Sequence, residues 1–424
     1  MTGDRSLVPK ERTRDLSPVP DSPYAAARLA ATLVLMTLGA AGMYGVSVVL
    51  PVVQSDFGVA RADASAPYAL LMLGFGVGGV AMGRLADRFG VMVPLLIGAV
   101  GLGSGFVLAS RAPDIATFNA AHGLLIGLLG CSATFSPLLA DTSLWWVRRR
   151  GMAVAICASG NYLGGAIWPP LVQHFVETIG WRQTYLGLGI FCFVVMTALA
   201  FVMRPRPPAH ESSRAPAFAG TGPGSNRPFG LAPTHAQILL CIAGLACCVA
   251  MSMPQVHIVA YCGDLGYGAA RGAEMLAVML GFGIVSRLAS GFICDHIGGL
   301  RTLLFGSALQ AVALLLFLPF DGLVSLYVIS ALFGLFQGGI VPSYAIIMRE
   351  HFPASEAGVR VGAIIMMTMV GMALGGWMSG RVFDLTGSYH AAFVNGIAWN
   401  AVNLAIAWTL LRLATNRGQI PRPA

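Results

Sequence analysis

The chain has 424 residues, 56% of them hydrophobic and only 10% charged, with 26 basic against 18 acidic side chains and a net charge of +8. A soluble chain of this length needs far more polar surface, and a disordered one is rich in charge. The 53 glycines follow no three-residue period, which excludes collagen, and a polytopic membrane protein is the class that remains.

About 20 apolar residues cross a bilayer as a helix. Apolar stretches run near 29–53, 66–83, 91–110, 115–140, 151–171 and 183–203, then near 236–261, 273–292, 300–319, 322–347, 358–380 and 390–413. The expectation is an all-α protein of 12 transmembrane helices. Barrel strands, which alternate and run about ten residues, do not fit these lengths. Residues 1–28 are polar and Pro-rich, carry no signal-peptide pattern, and read as a disordered cytoplasmic tail. The halves 29–203 and 235–414 flank a Pro/Gly/Ser/Arg-rich linker at 204–234, and 415–424 form a second tail.

Basic residues set the orientation. Twenty of the 26 fall on one side, among them Arg84, Arg88, Arg148, Arg149, Arg150, Arg301 and Arg360. Arg61, Arg111, Arg182, Arg271 and Arg381 fall on the other. The positive-inside rule then places both termini in the cytoplasm of a plasma membrane, a bacterial inner membrane by expectation. The excess charge is a topology signal, and no basic soluble face exists to bind nucleic acid. The eight cysteines lie in or beside spans without paired spacing, as small buried apolar residues do. There is no zinc spacing and no phosphate-cradling loop. No cofactor and no metal are expected.

The halves repeat. GRLADRFG at 83–90 aligns with GFICDHIG at 291–298, matching Gly83 with Gly291, Asp87 with Asp295 and Gly90 with Gly298. Gly160, Gly164 and Gly165 of the fifth span match Gly371, Gly375 and Gly376 of the eleventh, and Gly180 matches Gly387. Two six-helix halves in parallel repeat are an arrangement of secondary transporters that rock about a central cavity. The loop of Gly83, Asp87, Arg88, Gly90, Gly291 and Asp295 is a candidate gating latch; a plain tight turn is the alternative. The runs Gly74–Gly79 and Gly123–Gly127 read as close helix packing.

GRLADRFG resembles the loop motif between the second and third helices of the major facilitator superfamily. WWVRRRGMAVAICASG at 145–160 resembles the fifth-helix signature of the monocarboxylate transporter group. SRLASGFICDHIG places Arg287 where that group has its substrate-binding arginine. GLLIGLLG (123–130) and FGLFQGGIVPSY (333–344) are similar to helices 4 and 10 of the oxalate/formate antiporter group. The resemblance implies a major facilitator fold and a carrier of small organic anions. Two features depart from it. Residues 29–53 hold no acid, and Gly283 stands where the animal transporters have an aspartate. Lactate-type proton coupling therefore does not follow from the resemblance.

Arg287 is the one basic residue assigned to the interior of a span. An intramembrane charge is costly and is by default functional. The nearest acids in sequence are Glu274 at one helix end and Asp295, eight residues on and about 12 Å along the helix. A guanidinium without a protein anion points to a substrate carboxylate, which its fork holds by two parallel hydrogen bonds. The alternatives are snorkelling to the interface or pairing with Asp141. His257, beside Pro254, is a candidate for substrate or proton binding or for a helix–helix hydrogen bond. Asn161, Tyr162, Tyr44, Gln337 and Tyr344 are further pocket candidates, with Asn119 and His122 behind them.

The sequence thus describes a secondary active transporter of a small organic anion, a monocarboxylate first, working by alternating access as a proton symporter or anion exchanger. Its partners are that anion, the lipid bilayer and the proton as candidate coupling ion, with a monomer as the working unit. A carrier or exporter of neutral or amphipathic solutes is the alternative. A membrane sensor or intramembrane enzyme is disfavoured, since no acid pair or nucleophile motif sits at mid-membrane.

Overall fold

A computed structural model of the chain describes residues 20–205, 227–353 and 356–417. Residues 1–19, 206–226 and 418–424, which hold most of the expected tails and linker, lie outside them. Among the described residues the secondary structure is helical, without strands. The helices are α1 (Pro23–Phe57), α2 (Arg61–Phe89), α3 (Met92–Ser110), α4 (Ile115–Trp145), α5 (Arg150–Ile179), α6 (Trp181–Val202), α7 (Pro233–Asp264), α8 (Ala269–Ile297), α9 (Gly299–Leu316), α10 (in two pieces, Leu323–Gln337 and Ile340–His351), α11 (Ala357–Thr386) and α12 (Tyr389–Asn416).

Eleven of these are long and apolar enough to cross a membrane; α5 is the exception. At 30 residues α5 has the length. Its Asn161, Tyr162, Gln173 and two prolines dilute the hydropathy. The first helix starts at Pro23, before the apolar stretch, with Ser22 as its N-cap accepting from the Ala25 N–H. Arg28 is therefore inside α1.

Each half packs by the same scheme. In the first, α1 lies on α5, α2 on α4, and α3 on α6; in the second, α7 lies on α11, α8 on α10, and α9 on α12. The halves meet through α2 on α11, α5 on α8, and α1 on α7. The repeated glycines explain the seams. Gly160 and Gly164 let α5 approach the α1 backbone, and Gly371 and Gly375 do the same for α11 against α7. Gly74 and Gly78 meet the α4 backbone, and Gly334 and Gly338 meet that of α8. The turn repeat is also structural: Gly90 and Gly298 sit at φ 85° and 82°, each donating its N–H to the carbonyl four residues back.

Both fourth helices are interrupted ahead of a proline. α4 is π-wound over Ala121–Cys131 and breaks before Ser136-Pro137, and α10 breaks at Gly338-Gly339 before Pro342.

The two halves diverge toward the face that carries both termini. Along α2 and α11, Gly380 meets Ser65 and Gly76 meets Met366 and Met369. Along α5 and α8, Gly165 meets Leu280 and Gly283 meets Tyr162. Near the terminal face a Cβ added at Gly83, Gly151, Gly291 or Gly362 would have no atom of another element within 4 Å. These four stand at the corresponding ends of the four helices that join the halves. At these four positions the other half makes no contact, whereas at the opposite face the halves are bonded through Arg61 and Asp384.

Candidate functional site

Arg287 lies in α8, half-buried, facing α5 and α10. Its Nη1 donates to the carbonyl of Ala158 at 3.0 Å, and its Nε points to that of Gly338 at 3.5 Å. The guanidinium stands 4.3 Å from the centre of the Tyr162 ring, a cation–π arrangement. Proline accounts for one of these contacts. The Gly338 carbonyl would bond the N–H four residues on, but that residue is Pro342, which has none. The carbonyl is left for Arg287.

Among the described residues no carboxylate pairs with Arg287. Asp141, one candidate partner, is held elsewhere: Arg28 donates to it through Nε and Nη2, both at 2.9 Å. Glu274 is engaged by Arg271 at 3.0 Å and by the Tyr327 hydroxyl. The side chain of Asp295 lies outside the described residues. Nη2 of Arg287 has no protein partner among them, so one limb of the fork is available to an anion.

Tyr162 and its neighbours complete this site. The Tyr44 hydroxyl donates to Asn161 Oδ1 at 3.0 Å, so α1 and α5 present a joined Tyr–Asn pair next to Tyr162. The other candidates have partners of their own, Gln337 standing next to Gly338. Gln337 accepts from Gln255 at 2.8 Å, and its own amide nitrogen is buried and unpartnered. Tyr344 donates to Asn403 at 2.7 Å within the second half. His122 sits in an aromatic cluster with Phe118 and Tyr185. His257 is fully buried, with Nδ1 3.1 Å from the Tyr389 hydroxyl and Nε2 2.8 Å from the Gly376 carbonyl, so both ring nitrogens are engaged.

Arg287 is not the only arginine in the helical core. Arg28 is 3% exposed and forms the buried pair with Asp141, also donating to the Met203 carbonyl and lying over the Trp145 ring. Arg61 is 8% exposed and bonds three residues of the other half. Neither role is visible in sequence, because the partners lie 113, 203 and 328 residues away. The one hint at Arg28 is its position at the head of a span.

In the α2–α3 turn Asp87 and Arg88 are exposed. Arg88 lies over the Phe89 ring, and Asp87 forms no ion pair or hydrogen bond among the described residues.

The family model of the Major Facilitator Superfamily matches residues 32–376 and 282–424. The chain is similar to the MFS-type transporter opdF of Penicillium oxalicum, 25% identical over 341 residues, 78% of this chain and 77% of that one. It is similar also to monocarboxylate transporter 13 of Bos taurus, 28% identical over 313 residues, with 73% and 71% covered. Among solved structures, a bacterial homologue of the human lysosomal transporter Spinster, in an inward-facing and unoccupied conformation, superposes with a TM-score of 0.69 at 15% identity, covering 95% of this chain and 99% of that one. The peptide transporter POT in complex with sulfate superposes at 0.72 and 13% identity, with 95% and 97% covered. With the paired six-helix halves, these matches make the chain a multi-pass membrane carrier, not an enzyme, that belongs to the major facilitator superfamily.

Proposed function

We propose that the protein is a secondary active transporter of a small organic anion, a monocarboxylate first, and that Arg287 holds the carboxylate. The observation that carries this reading is the half-buried guanidinium that has, among the described residues, no carboxylate partner and one limb of its fork unused. A carboxylate accepts from such a fork without the penalty that an unpaired buried charge incurs. Tyr162, Asn161 and Tyr44 form the adjoining wall. Similarity to monocarboxylate transporters supports the substrate class. Arg84, Arg88, Arg148, Arg149 and Arg301 on the terminal face support a cytoplasmic location for both termini in a bacterial inner membrane. Alternating access follows from halves that meet along two symmetric helix pairs.

The two carbonyls bonded by Arg287 favour a second reading, in which the side chain only pins α5 to α10 and the cargo is neutral or amphipathic. Counterflow uptake in proteoliposomes separates the two, run across a panel of carboxylates and neutral solutes with an Arg287→Gln variant alongside. The clamp requires that the variant remain folded and lose carboxylate uptake by about 10- to 100-fold, the range expected for hydrogen bonds to a charged group. Unchanged carboxylate uptake in the variant rejects it. Comparing a pH gradient with a trans-anion gradient as the driving force distinguishes proton symport from anion exchange.

A further inference from the structure

At the face opposite the termini, one arginine of the first half is enclosed by the second. Asp384 of α11 accepts from the backbone N–H groups of Arg61 and Ala62 at 2.9 and 2.8 Å, capping α2 from across the interface. The Arg61 guanidinium donates to Asp264 of α7 at 3.1 and 3.3 Å and to the Tyr389 hydroxyl of α12 at 2.7 Å. It also lies 4.5 Å from the centre of the Phe383 ring. Beyond Tyr389 the hydrogen bonds continue inward to His257 and end at the Gly376 carbonyl.

Donor and acceptor rules fix the direction of this chain. Arginine has no acceptor, so the Tyr389 oxygen accepts from Arg61. A carbonyl has no hydrogen, so Nε2 of His257 carries one. The Tyr389 hydroxyl then gives its own hydrogen to Nδ1, which serves as acceptor. The chain is complete only with neutral imidazole.

We infer that Arg61, Asp264, Tyr389 and His257 form the gate of this face and that a proton taken up by His257 opens it. With a hydrogen on Nδ1, the Tyr389 oxygen faces two cationic donors and its own hydrogen has no acceptor. The charged groups around His257 are Arg61 on α2, Asp384 on α11 and Asp264 on its own helix, with the hydroxyls of Tyr389 and Tyr261 beside it. Arg61 is repelled and loses Tyr389. Its remaining side-chain partner, Asp264, is 40% exposed and solvent-screened. A groove lined by Gln54, Ser55, Gly58, Ala260 and Asp264 leads from the outer surface to Arg61 and admits water to this end of the chain. The inference rests on the carrier reading above and names the proton as its coupling ion.

The test reads gate opening without substrate, so its failure is separate from failure of the Arg287 clamp. Ser65 is fully buried, against Gly380 across the α2–α11 interface just inside Arg61. Ser65→Cys is labelled in intact cells with a membrane-impermeant maleimide. The exposed Thr386→Cys corrects for thiol ionisation, and the unsubstituted protein supplies the background of native cysteines. The corrected rate is expected to rise several-fold as the outer pH falls from about 7.5 to about 4.5, below the range of a free histidine, because the buried neutral ring is hydrogen-bonded at both nitrogens. His257→Gln in this background should stay slow at both values, while Tyr389→Phe, which removes a single hydroxyl, should be fast at both. A pH response that survives His257→Gln overturns the inference, as does a Tyr389→Phe variant that labels as slowly as its parent at the higher pH.

Discussion

Tyr162 occupies the space that a side chain at position 283 would need: a Cβ on Gly283 would stand 2.8 Å from its ring. The ring is thereby free to lie over Arg287, four residues further along α8. Gly283→Ala should push Tyr162 off the guanidinium. An overpacked site of this kind costs about 1–3 kcal/mol. The expected outcome is a KM for the transported anion raised several-fold with expression intact, measured by counterflow. An unchanged KM would show that the aromatic contact does not shape the site.

The pair Arg28–Asp141 joins α1 to α4 near the terminal face, with both side chains under a tenth exposed. Removing one partner leaves the other charge buried and alone, at a cost of about 3–5 kcal/mol, whereas replacing both by apolar residues is often nearly neutral. Arg28→Met should therefore lower the melting temperature in detergent markedly, and the double variant Arg28→Met/Asp141→Leu should recover most of it. A double variant no better than the single one would assign the loss to packing of the arginine stem.

His351 follows the membrane-spanning part of α10, stacked on Phe229 at 4.5 Å, with Nδ1 3.2 Å from the Ile347 carbonyl. Burial pushes its pKa below the ordinary histidine value. The folded form therefore resists protonation that the unfolded chain accepts. This contribution to stability is present above about pH 6.5 and is lost as pH falls through that value toward the folded pKa. Thermal unfolding should shift downward between about pH 7 and about pH 5, and by less in His351→Gln. Parallel pH curves for the two proteins would remove His351 from the account.

Asp87 is exposed and unpaired among the described residues, on the terminal face. If it latches the alternate state, Asp87→Asn changes nothing in the state seen. The variant should bind substrate measurably and turn over more slowly. Equal turnover would make the loop a plain turn.

The spans, the repeat and the glycine seams were legible in the sequence because each is a local pattern: hydropathy over about 20 residues, or glycines at helical spacing. Arg287 was legible as a charge in the wrong place. The Arg28–Asp141 pair and the enclosure of Arg61 were not, because both arginines stand at helix ends, where a charge looks solvated, and their partners arrive from distant helices. His257 shows the same limit. Its proline neighbour marks a bent helix, but only the packing of α7 against α11 and α12 reveals that Tyr389 and Gly376 engage both ring nitrogens. Gly283 was legible as an absence, and the Tyr162 ring gives that absence its physical content.

Gly83, Gly151, Gly291 and Gly362 have nothing within 4 Å of a prospective Cβ, yet they end the four helices along which the halves meet. A glycine that no neighbour crowds has no steric reason to be glycine in this state. In an alternating-access cycle these ends converge in the opposite state, where close approach of helices favours glycine. A methyl group at these positions should cost the fold nothing, helix propensity favouring it by about 0.5–1 kcal/mol, and act on the equilibrium between the two faces. The protein thus carries, in four vacant positions, the imprint of a conformation it does not here adopt.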